Sequence, residues 1–225
     1  CIGVNNKHPE SRQRFTIAHE IAHFLLHANK TKTLFVDKPV YFRNIASSSG
    51  EYRQEIEANY FAAEILMPRV IVFHSGYDRW KYDNRVDIWL EGSLQTWKPI
   101  SKRASEMGVK IAIENIFEDD PEHLGLLSRE MNSEDFGLCF DTGHFNLFSK
   151  LPLKEWLGII KPYIKELHLH DNSRYADDHS AIGDGDFDFA TLFKELQGID
   201  CVYTIEAHNE KDAVTSLERL KEYIK

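Results

Sequence analysis

Five short apolar runs, each closing on a histidine or a carboxylate, constrain this chain more than anything else in it. VIVFH ends at His74, VKIAIE at Glu114, FGLCFD at Asp141, ELHLH carries His168, and CVYTIE ends at Glu206. Helical stretches separate them: roughly Ser93–Met107, Pro121–Met131, LKEWLGIIKPYI, Phe189–Leu196, and a last helix from about Lys211. Short strands alternating with helices predict parallel βα units. In folds of that kind the chemistry sits at the C-terminal ends of the strands. Five strand ends that all carry metal-competent side chains point to a site there.

The stretch from Glu166 to Gly185, ELHLHDNSRYADDHSAIGDG, is the densest. Alternation puts Leu167 and Leu169 on one face and His168 and His170 on the other. A loop then carries Asp171, Asp177, Asp178 and His179 before a Gly-Asp-Gly turn. Neutral nitrogen and anionic oxygen on a stiff support suit a divalent cation.

The chain has 225 residues, room for one large domain or two small ones. Its net charge of -9 disfavours a phosphate backbone, so nucleic acid is not the expected partner. Three widely spaced cysteines, Cys1, Cys139 and Cys201, argue against a disulfide framework and for a reducing, cytoplasmic setting. No run is apolar over a bilayer's width and no signal peptide is visible, so no membrane partner is expected. The chain opens on Cys1 rather than a methionine, as a fragment or processed product would.

The first 69 residues read differently. Ser11 is a candidate N-cap for a helix over RQRFTIAHEIAHFLLH, residues 12–27. Within it lies HEIAH. His19 and His23 are one turn apart, so both imidazoles leave the same helix face, with Glu20 beside them as a base for a metal-bound water. A Ser-Ser-Ser-Gly loop, residues 47–50, precedes a second helix over about residues 51–66, closed by Pro68. With EIEANYFAAEILMP, residues 55–68, this block resembles the ImmA/IrrE family of metallopeptidases. The resemblance implies Zn2+ held by His19, His23 and Glu57, with Glu55 as the fallback ligand, Glu20 as general base, and a peptide substrate.

The remainder, residues 70–225, resembles the C-terminal part of the xylose-isomerase-like TIM barrels, through IAIENIFED, GLCFDTGHFNLF, ELHLHDN and DDHSAIGDGDFDF. That group includes sugar-phosphate isomerases and epimerases and the endonuclease IV family. In the epimerase branch the resemblance makes Glu114, Asp141, His168 and Glu206 the ligands of one Mn2+, Mg2+, Co2+ or Zn2+. Glu114 and Glu206 then double as the acid/base pair on a small sugar or sugar-phosphate. In the endonuclease IV branch His74, His144, Asp177 and His179 join them in a multinuclear zinc site that cleaves a phosphodiester. HLHDN stands where that branch has HLNDS.

A full barrel needs eight strands and about 250 residues. Five are legible here, so the expected fold is α/β: a partial barrel of about five parallel βα units behind a small helical metallopeptidase-like segment. An open sheet of that size exposes an edge. The first segment or a second copy of the chain is the expected cover. The leading expectation is a metal-dependent sugar isomerase or epimerase fused to a zinc peptidase-like motif. The rivals are an ImmA/IrrE-type peptidase, an endonuclease IV-like phosphodiesterase, and a non-catalytic metal-binding fusion.

Overall fold

The computed structural model describes residues 10–27, 68–78 and 80–224, together with residues 2, 4, 6, 7, 57–59, 61, 62 and 66. Contacts divide the chain into two compact units, Cys1–Pro68 and Arg69–Lys225.

In the first unit, α1 spans Glu10–His27. Ser11 lies inside this helix rather than at its cap. Residues 57–59, 61, 62 and 66 are also helical. The Ser-Ser-Ser-Gly loop, Glu55 and much of the expected second helix lie outside the described residues.

In the second unit, β1 (Val70–His74), β2 (Lys110–Glu114), β3 (Phe136–Asp141), β4 (Ile164–Leu169) and β5 (Val202–Ile205) form one parallel sheet in sequence order. The sheet curls into a half-barrel. Helices α2 (Val86–Glu106), α3 (Glu122–Met131), α4 (Thr142–Phe148), α5 (Leu153–Ile160) and α6 (Phe189–Glu195) lie in the connections, and α7 (Glu210–Tyr223) follows the last strand. Ile111 and Ile113, Leu138 and Phe140, and Leu167 and Leu169 recur at every second position and join the helices' Leu127, Trp156 and Leu192 in one core. The opposite face of the same strands is left for polar side chains.

One helix differs from expectation, and one strand end carries more than its position showed. Helix α2 begins at Val86, not near Ser93, and runs through Pro99. Its packing overrides the proline: Val86, Leu90, Leu94 and Trp97 line up against the core, and the buried Trp89 donates its indole N–H to the Ser75 carbonyl at 3.0 Å. The third strand stops at Asp141 as expected, but the turn to His144 is already helical. The Asp141 carboxylate accepts from the His144 backbone N–H at 2.7 Å and so caps α4.

Candidate metal centre

Parallel pairing brings the strand ends level. His74 pairs with Glu114 and Asp141 with His168. Glu206 follows β5 directly, its N–H donating to the Leu169 carbonyl. Glu114, Asp141 and His168 offer donor atoms that all lie within 4.8 Å of one another, and all three residues are buried. His168 Nδ1 is 3.4 Å from Glu114 Oε1, 3.9 Å from Asp141 Oδ2 and 3.0 Å from Glu206 Oε1. His74 comes within 3.7 Å of Glu114 Oε2, but its side chain is 69% exposed.

Three carboxylates around one imidazole repel one another unless positive charge joins them. His144 and His168 supply it in the protein itself. Burial pushes the Glu114 carboxyl up, but hydrogen bonds from His144 and His168 outweigh it and hold it at about 2. Burial would lower His144, yet its hydrogen bond to Glu114 and the charges of Asp141 and Asp177 raise it to about 9. Burial opposes charge on His168 too, and Cys139, Glu114 and Glu166 still raise it well above the ordinary imidazole range. His168 Nδ1 is buried and makes no hydrogen bond of good geometry, although it faces three acids. One imidazole nitrogen and three carboxylates is a donor set that Mn2+, Mg2+, Co2+ or Zn2+ accepts, so the residues present fit a divalent cation.

Neighbouring groups hold the ligand candidates in place. The Asn115 side chain donates to the Asp141 carbonyl at 3.0 Å and accepts its N–H at 2.9 Å. Thr142 Oγ1 donates to the His170 carbonyl at 2.7 Å and accepts the His170 N–H at 3.1 Å, tying the start of α4 to the residue that follows β4. Gly143 matters here: a Cβ at that position would overlap the His170 ring.

A second donor group, His170, His179 and Glu206, likewise brings its donor atoms within 4.8 Å of one another. His170 Nε2 sits 3.0 and 3.1 Å from the two Asp141 oxygens. Asp177 bridges outward, 3.3 Å from His144 Nε2 and 3.4 Å from His179 Nε2. His208 stacks on His179 at 4.2 Å. The sequence placed His170 on the correct face of β4 but gave it no role. Nothing in the pattern signalled His208, because it lies two residues beyond Glu206. The loop between His170 and α6 is built around the buried Asp171. Its carboxylate accepts the backbone N–H of Asn172, Gly183, Gly185 and Phe187 at 2.9–3.1 Å.

In the first unit, His19 Nε2 and His23 Nε2 face each other at 3.0 Å on α1. His23 is buried, and Glu20 and Glu57 are half-buried.

A family model described as the xylose isomerase-like TIM barrel matches residues 17–223. The chain belongs to that family. The uncharacterized protein MJ1311 of Methanocaldococcus jannaschii is 34% identical over 168 residues, 71% of this chain and 57% of that protein. The chain thus spans less than two thirds of the length of that relative. The crystal structure of a D-tagatose 3-epimerase-like protein is 32% identical, with a TM-score of 0.62, over 76% of this chain and 66% of the other. The TTHB071 protein of Thermus thermophilus, in crystals soaked with zinc chloride, shares the fold at 24% identity and a TM-score of 0.56, over 85% of this chain and 72% of that one. Other proteins that share the fold are named as sugar epimerases, among them an E. coli 3-keto-D-glucoside 4-epimerase (16% identical, 76% of this chain and 69% of that one, TM-score 0.52). The proteins named here give the N-terminal segment no peptidase counterpart. Among the described residues, no helix is long and apolar enough to cross a membrane.

Proposed function

We propose that this xylose isomerase-like chain is a divalent-metal-dependent sugar isomerase or epimerase. Glu114, Asp141, His168 and Glu206 hold the cation, and Glu114 and Glu206 exchange protons with the substrate carbon. The observation that carries this reading is the meeting of three acids on His168 Nδ1, at 3.0–3.9 Å, at the C-terminal end of the sheet. The 32% identical D-tagatose 3-epimerase-like protein supports a small sugar as substrate class. Bound there, a divalent cation supplies polarisation of the substrate's carbonyl and hydroxyl oxygens. The chain's own part is to present carboxylates from two strands to a carbon between them, with His144 holding Glu114 ionised. The test is metal content of the purified chain together with interconversion of a panel of ketoses. Glu206→Gln should lower any such activity about 100-fold or more. A chain that interconverts no sugar while cleaving a phosphodiester, or one that binds no cation, would overturn the reading.

A phosphodiesterase of the endonuclease IV kind is the second reading, favoured by the additional group of His170, His179 and Glu206 with Asp177 close by. For the first unit, the 3.0 Å approach of His19 Nε2 to His23 Nε2 favours a zinc pair served by Glu20 and Glu57, and peptide hydrolysis with it.

A further inference from the structure

Below the strand ends, the inner face of the half-barrel carries one more buried acid. Pleating puts Glu166 on the same side of β4 as His168, one step down the strand. Cys139 on β3 is the register partner of Glu166, and Thr204 on β5, which pairs with His168, reaches Glu166 through a hydrogen bond. Glu166 is 6% exposed. A carboxylate in such a place is costly unless hydrogen bonds and opposite charge meet it. Thr204 Oγ1 donates to Glu166 Oε1 at 2.5 Å. The basic nitrogen within ion-pair reach, among the described residues, is His168 Nε2, 3.6 Å from the same oxygen.

His168 is therefore gripped from two sides. Nε2 looks down at Glu166, and Nδ1 looks up at Glu114, Asp141 and Glu206. An imidazole offers a lone pair on one nitrogen only when the other carries the proton. An acceptor below Nε2 keeps a proton there, so that the proton a cation displaces is the one on Nδ1, which faces the acids. Cys139 is the competing neighbour, and a thiol is a weak acceptor beside a carboxylate. The Thr204 hydroxyl fixes the Glu166 oxygen that Nε2 faces, so the acceptor is itself oriented.

We infer that Glu166 is a positioning residue: it holds the His168 ring with Nδ1 presented to a divalent cation bound by the acids above. This rests on the proposed metal role of His168. Outer partners of this kind are typically worth about 10–100-fold in metal affinity.

The experiment uses the full chain and measures Co2+ and Zn2+ affinity by chelator competition, the visible spectrum of the Co2+ form, and the melting of the metal-free protein. Glu166→Gln keeps the volume and the Thr204 contact but weakens the acceptor. It should lower affinity about tenfold and shift the Co2+ bands, with metal-free melting close to wild type. Glu166→Ala should lose roughly 10–100-fold, and Glu166→Asp should recover part of that loss. Wild-type affinity and an unchanged Co2+ spectrum in both Glu166→Gln and Glu166→Ala would overturn the inference. If His168→Ala itself binds Co2+ as tightly as wild type, the metal reading fails instead. Lower affinity that merely tracks lower metal-free stability, without recovery in Glu166→Asp, would make Glu166 structural and sink the positioning role.

Discussion

His170 and His179 lie face to face, ring centroids 3.9 Å apart and planes 4° from parallel. Glu206 reaches toward both, with Oε2 4.0 Å from His170 Nε2 and 3.9 Å from His179 Nδ1. The same carboxylate's other oxygen sits 3.0 Å from His168. One glutamate thus stands between two donor groups, and the number of cations the half-barrel holds decides which chemistry it suits.

We expect one tightly bound divalent ion in the second unit. His168→Ala should remove it, because the group of Glu114, Asp141 and His168 then loses its nitrogen donor. His179→Ala should leave it in place while weakening substrate binding. Elemental analysis after gel filtration reads the metal content, and substrate titration the binding. Two or three ions per half-barrel, lost together on His179→Ala, would favour the phosphodiesterase reading.

The loop after β4 should depend on one side chain. Asp171→Ala leaves four backbone N–H groups without their acceptor, and we expect a loss of about 3 kcal/mol or more in chemical denaturation. Gly185→Ala should also destabilise, because its Cβ would collide with the Asn172 carbonyl oxygen. Wild-type stability in both variants would show that the loop does not rely on this acceptor.

The metal-free protein should have a stability window set by Glu114 and the two imidazoles beside it, His144 and His168. His144 is raised in the folded chain from its ordinary 6.5 to about 9. Its contribution is fully present below about pH 6.5 and is lost as pH rises through about 9. Glu114 is lowered from 4.5 to about 2. Its contribution is present above about pH 4.5 and is lost as pH falls toward about 2. Melting temperature against pH should therefore peak between about 4.5 and 6.5 and fall on both sides. In His144→Ala the alkaline decline should flatten. An unchanged alkaline limb would remove His144 as one of its sources and leave it to His168.

For the first unit, His23→Ala should lower zinc content by about one equivalent if His19 and His23 ligate together. The same zinc content in wild type and variant would end that reading.

Several features of the fold were legible because local rules and tertiary packing agree. All five strands stand where alternation and β-branched runs put them, and Glu114 and Asp141 close β2 and β3 as expected. Helix α2 was not fully legible. Its first turns depend on Trp89 reaching the Ser75 carbonyl, a contact between residues 14 apart that no local propensity encodes. The capping role of Asp141 was hidden for a related reason. Asp141 reads as a strand residue until its carboxylate is seen to cap α4.

The amino-acid order by itself determined which residue types stand at the strand ends, because a two-residue side-chain period commits every second position to one face of the sheet. It also determined that His168 and His170 share a face with Glu166. Tertiary structure alone decided which of these meet. Glu114, Asp141, His168 and Glu206 are 27, 27 and 38 positions apart in sequence, and only the parallel register of four strands brings their donor atoms together. It decided as well that Glu206 stands between two groups, and that Glu166 lies against His168 Nε2. Those are distances of a few ångströms set by strand stagger and sheet curl, and a one-dimensional pattern carries neither.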